Sequence, residues 1–91
     1  MKYIFEKPYQ FEGETYTNIE FDLDSLKGSD IAAVKRKYVV AGGAALVPTS
    51  DMEFSVLLLN RVTKKPIEFF NGLPARDYVQ LTLTVSNFLM Q

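Results

Sequence analysis

The stretch Leu73 to Met90, LPARDYVQLTLTVSNFLM, decides the fold, and its pattern supports two readings. With period two, Val79, Leu81, Leu83 and Val85 point one way and Gln80, Thr82, Thr84 and Ser86 the other, as in a half-buried strand. With period 3.6, Tyr78, Leu81, Val85, Phe88 and Leu89 make one stripe. Val79, Leu83 and Met90 make a second stripe beside it, with Thr82 and Ser86 between. Arg76, Asp77, Gln80, Thr84, Asn87 and Gln91 then share a polar face. Length and start signals decide for helix. The segment is long for a strand. Asn71-Gly72 interrupts the chain before it, and Pro74 suits a first helical turn, where its missing N–H costs nothing. The expectation is a helix over 74–90, with an apolar arc wide enough for the central helix of a small domain.

Working outward, residues 2–23 read as a β-hairpin. Tyr3 and Phe5 alternate with Lys2, Ile4 and Glu6, and Pro8 marks an edge position or a bulge. The turn falls at Phe11-Glu12-Gly13-Glu14, where Gly13 can take positive φ. Ile19, Phe21 and Leu23 then face one side, and Glu20, Asp22 and Asp24 the other. A lone hairpin is marginal in water, so this face must pack on helices. After a connection at 24–28, Ser29 is the expected N-cap of a helix over 30–41, with Asp30 in its first turn. Its inward stripe is Ile31, Val34, Tyr38 and Ala41, and Gly42-Gly43 ends it. Ser50 and Glu53 have capping-box spacing for a helix over 51–64, which Pro66 closes. Ile67, Phe69 and Phe70 read as one short helical turn. The fold class is therefore α+β, a hairpin on three helices, in one domain spanning 1–91.

Composition narrows function by exclusion. Hydrophobic residues at 47% and aromatics at 13% place the chain among globular proteins. No apolar run reaches membrane-spanning length, and MKYIFEKPYQ lacks the apolar core of a signal peptide, so an intracellular protein is expected. There is no cysteine and no histidine, which removes thiol chemistry, the commonest general base and the commonest transition-metal ligand. No Gly-rich phosphate loop follows Gly42-Gly43, and Glu20-Phe21-Asp22-Leu23-Asp24 lacks the geometry of a calcium loop. No enzyme, cofactor, metal or nucleic-acid partner is expected. The net charge is −1, but residues 1–30 carry −4 and residues 31–65 carry +4. Two solvated faces explain this more simply than an association device.

What stands out is apolar excess. Met52, Phe54, Val56, Leu57, Leu58, Leu59 and Val62 occupy nearly every direction around the second helix. Exposed apolar surface marks interaction sites, so protein binding and homo-oligomers are expected. The candidate partner-binding residues are Phe54, Leu58 and Val62, at i, i+4 and i+8, with Phe69 and Phe70 beside them.

Two segments carry a resemblance. FEGETYTNIEFDLDSLKGSD, Phe11 to Asp30, resembles the start of the tail assembly chaperone family of long-tailed bacteriophages. LPARDY, Leu73 to Tyr78, continuing to VSNFL, Val85 to Leu89, resembles that family's last helix, in the same order. The middle, Val39 to Phe70, contributes nothing distinctive to it. The resemblance implies a non-catalytic helper that binds the tape measure protein, keeps it soluble and promotes assembly of the tail tube protein around it. It implies action in the cytoplasm of the infected cell and absence from the mature virion, and it favours helix over strand for 74–90. The rivals are a small structural tail or connector subunit and a generic protein-binding module. The first would need more β-structure than one hairpin supplies.

Overall fold

The computed structural model describes residues 1–90. It is α+β, with an N-terminal antiparallel hairpin followed by four helices and a 3-10 turn. The strands are β1, Lys2–Phe11, and β2, Glu14–Glu20. The helices are α1, Gly28–Val40; α2, Met52–Thr63; α3, Ile67–Asn71; and α4, Ala75–Leu89. The 3-10 turn is Pro48–Ser50. The stretch at 79–86 is helix, as its length and flanks required.

The hairpin turns on Glu12 and Gly13, both at positive φ (49° and 82°), the geometry that matches strand twist. Its register runs from Phe11↔Glu14 through Tyr9↔Tyr16, then resumes at Ile4↔Asn18. Phe5 to Pro8 therefore lie opposite Thr17 alone. This is the irregularity that Pro8 announced, and it bends β1. One face buries Phe5 and Ile19, continued by Phe21 and Leu23 beyond β2. The first residue is tied in as well, its ammonium donating to the Phe21 carbonyl at 2.7 Å.

Helix ends correct three details. The N-cap of α1 is Lys27, one residue ahead of Gly28; Ser29 lies inside the helix. Asp30 takes over from Ser29, accepting the Lys27 N–H at 2.9 Å. Asp51, not Ser50, caps α2, accepting the Glu53 N–H at 2.9 Å. The Ser50 hydroxyl instead donates to the Val47 carbonyl and closes the 3-10 turn. Pro74 sits at the N-cap of α4 and not in its first turn. At the other end of α1, Gly42 at φ 96° allows a Schellman closure. Gly42 N–H donates to Val39 and Gly43 N–H to Tyr38. Lys64 takes the left-handed conformation (φ 63°) to end α2 before Pro66 is reached.

The larger correction concerns the centre. The central helix is α2, which touches α1, α3, α4 and the 3-10 turn. Its neighbours absorb the apolar circumference: Phe54, Val56, Leu58 and Leu59 are buried, Leu57 and Val62 half-buried, and only Met52 is exposed. The excess expected on α2 is thus spent inside the molecule. On α4 only one side is covered. Leu81, Thr82 and Val85 are buried, while Val79 and Leu83 of the second stripe face water.

Candidate partner-docking surface

Four of the five sequence-derived candidates lie in the core. Phe54 is 1% exposed, and Leu58, Phe69 and Phe70 are 0%. Phe54 meets the Tyr38 ring edge-on at 5.7 Å. Phe69 is the hub of an aromatic cluster, with ring centroids 5.0 Å from Tyr16 and 5.2 Å from each of Tyr9, Phe11 and Phe70. Lys65 caps that cluster, its ammonium 4.7 Å from the Tyr16 ring centroid. Val62 alone reaches the surface, in shallow depressions beside Phe21, Asp22, Leu26 and Arg61. The structure brings Phe69 and Phe70 together, but as core: α3 lays the Phe69 ring under the hairpin and the fully buried Phe70 ring against it. As placed, these four side chains present no surface to a partner.

The apolar surface lies elsewhere. Val79 (42%), Leu83 (48%) and Met90 (58%) are exposed along α4, and Met52 (47%) stands at the start of α2. With Ser86, the α4 positions are spaced 4, 3 and 4 residues apart, which keeps them on one side of a helix. That spacing was visible in the sequence as the second stripe of α4. Nothing in the pattern said that this stripe, and not the first, would stay uncovered.

Between α2 and α4 lies a slot of about 180 Å³, lined by Ser50, Met52, Ser55, Val79, Thr82, Leu83 and Ser86. Its lining carries no charge. The 3-10 turn closes one end, held there because the Ser86 hydroxyl donates to the Thr49 carbonyl at 2.8 Å. A second groove, about 330 Å³, runs between Tyr38, Ala41, Val56, Leu57, Ile67 and Tyr78, with Glu53 and Asn71 at its rim. Burial, helped by the charges of Glu53 and Asp51, pushes the Tyr78 phenol up. Further exposed apolar residues are Val39 and Val40 at the end of α1 and Leu46 and Val47 in the loop after it.

Electrostatics here serve the fold. Arg61 Nε and Asp30 Oδ1 pair at 2.8 Å, joining the acidic and basic halves within one chain. The Lys27 N–H, and then Arg61, hold the Asp30 carboxyl below the usual carboxylate range. Among the described residues no group of acidic side chains is arranged to hold a metal ion. No helix is long and apolar enough to cross a membrane among those residues. What the surface offers is a shallow, uncharged, apolar seam.

No curated protein and no solved structure matches the chain. The family model described as phage tail assembly chaperone proteins, E, or 41 or 14, matches residues 2–90. That match runs through both resembling segments and the undistinctive middle between them, from β1 to the end of α4. The chain therefore belongs to the phage tail assembly chaperone family.

Proposed function

We propose that this chaperone binds the tape measure protein of its phage and keeps it soluble while tail tube protein assembles around it, acting by contact and without catalysis. The observation that carries the reading is the uncovered seam of Met52, Val79, Leu83 and Met90. A holdase needs apolar side chains that its own core does not consume, and an amphipathic helix docks on such a seam through side chains spaced i, i+3 and i+4. Val62, half-buried near the far end of α2, is the one member of the sequence-derived set open to a partner, at a second point of contact beside Phe21 and Leu26. Phe54, Leu58, Phe69 and Phe70 contribute as the core on which the surface residues are held. The proposal extends to homo-oligomers through Val39, Val40, Leu46 and Val47, to the host cytoplasm as the place of action, and to absence from the mature virion.

The test is soluble co-expression with tape measure fragments. Leu83→Glu should leave the chaperone folded and lose the fragment. A variant carrying Lys64→Ala with Lys65→Ala should keep it, since charges at a rim mostly alter on-rate. Retention by Leu83→Glu together with loss by the lysine variant would overturn the apolar reading. For self-association, sedimentation of Leu46→Glu should show a smaller species than wild type. An unchanged sedimentation coefficient removes that patch from the contact.

A further inference from the structure

Four hydroxyls surround the slot between α2 and α4, and three are committed to backbone carbonyls. Thr82 donates to Tyr78 at 2.8 Å, Ser86 to Thr49 at 2.8 Å and Ser50 to Val47 at 2.7 Å. The fourth, Ser55, is 0% exposed, and its oxygen has no hydrogen-bond partner among the described residues. Buried polar groups are almost always paired, so an orphan calls for an explanation. A serine hydroxyl offers one donor and two acceptor sites. This one borders a slot otherwise walled by Met52, Val79 and Leu83.

We propose that the slot receives one side chain of an amphipathic helix laid along Val79, Leu83, Ser86 and Met90, and that Ser55 hydrogen-bonds the polar tip of that side chain. This deepens the reading that the seam binds a tape measure segment, and rests on it for the identity of the partner. The occupant is a single helix, not a second copy of this chain. Four side chains at about half exposure form a patch of a few hundred Å². A stable dimer buries about 800 Å² on each partner. The slot has room for one large side chain, and its uncharged lining excludes lysine, arginine and the acids, whose burial without a partner is costly. Apolar walls with a hydroxyl at the base match tyrosine, an apolar body ending in a hydrogen-bonding group. Ser55 is on this account a specificity residue. It weakens the free chaperone slightly and is satisfied only in the complex.

The probe is a pair of helical peptides of about three heptads with a leucine seam, identical except for tyrosine or phenylalanine at the central seam position. Both are used below their own self-association range, against wild type, Ser55→Ala and Leu83→Glu. Wild type should bind the tyrosine peptide about tenfold more tightly, as expected for a buried hydrogen bond made in one peptide only. Ser55→Ala should erase that preference while melting at or above the wild-type temperature. Leu83→Glu should bind neither peptide. Equal binding of both peptides by wild type, a preference that survives Ser55→Ala, or no binding of either would overturn the proposal. Tape measure co-elution without a tyrosine preference would leave the functional reading standing and remove this one. A tyrosine preference without co-elution would do the reverse.

Discussion

The Tyr3 hydroxyl donates to Asp77 Oδ1 at 2.9 Å, bridging the first strand and the last helix across 74 residues of chain. The same oxygen accepts the Glu6 N–H at 3.3 Å, from the bulged part of β1. Asp77 is 2% exposed and sits in the first turn of α4, where the helix dipole favours a negative charge. It thus fixes both the bend of β1 and its seat on α4. Replacing Asp77 by alanine should destabilise the domain by about 1–3 kcal/mol, because a buried donor is left without its acceptor. Urea unfolding of Asp77→Ala against wild type measures it, and a change below about 0.5 kcal/mol would show that the bridge contributes nothing.

Alkaline pH should loosen the same junction. Burial first, and then the hydrogen bond to Asp77, push the Tyr3 phenol up to about 12 from its ordinary 10.0. The folded state thus favours the protonated phenol. The stability it contributes is fully present below about pH 10, the unfolded value, and is lost as pH rises from there towards 12. Stability measured across that window should fall more steeply for wild type than for Tyr3→Phe. Parallel curves would place the titrating group elsewhere.

Phe69→Ala should be the most damaging single change among the five sequence-derived candidates. It empties the hub on which Tyr9, Phe11, Tyr16 and Phe70 meet. Truncating a buried phenylalanine costs about 3–5 kcal/mol, much of the stability of a domain this small. Loss of a partner by this variant would therefore report unfolding, not a lost contact. Leu83→Glu, on an exposed position, should stay within about 0.5 kcal/mol of wild type. Circular dichroism melting of the two separates the cases.

Gly43 is held small by a neighbour, not by backbone strain. A Cβ there would collide with the Tyr38 ring. That ring cannot easily move, since its hydroxyl donates to Asp51 Oδ2 at 2.6 Å and accepts the Ala45 N–H at 3.1 Å. Gly43→Ala should cost about 1–3 kcal/mol, as overpacking does, and lower the melting temperature by several degrees or more. Gly42, at φ 96° with open space around it, should accept asparagine at smaller cost. Equal melting temperatures for Gly43→Ala and wild type would show that the ring yields.

The pattern of residues told most about elements and least about what covers them. Period two in Ile19, Phe21 and Leu23, the Glu12-Gly13 turn and the 3.6 periodicity of α4 all report local geometry, and all appear as read. Asp77 reads as part of a polar face, because nothing local announces a phenol arriving from residue 3. The pattern likewise marks Phe54, Leu58, Phe69 and Phe70 as candidates for a partner, and the fold buries them. Periodicity measures how much of a helix is apolar, but not how many neighbours it has. Once α1, α3 and α4 surround α2, the surplus moves to the second stripe of α4. The capping residues differ by one or two positions because several polar residues near each helix start compete for the same free N–H groups.

The tie between Tyr3 and Asp77 also orders events on the ribosome. The hairpin is made before α4 and is completed only with it, since its seat on α4 needs residue 77. At about 5–20 residues per second, that leaves an interval on the order of several seconds. Until then the Tyr3 hydroxyl and the Glu6 N–H in the bulged part of β1 lack their acceptor, although Phe69 of α3 is already made to meet Phe5. Slowing translation just upstream of the codon for Asp77 should therefore raise the yield of aggregated nascent chains, and an unchanged yield would separate seating of the hairpin from the order of synthesis.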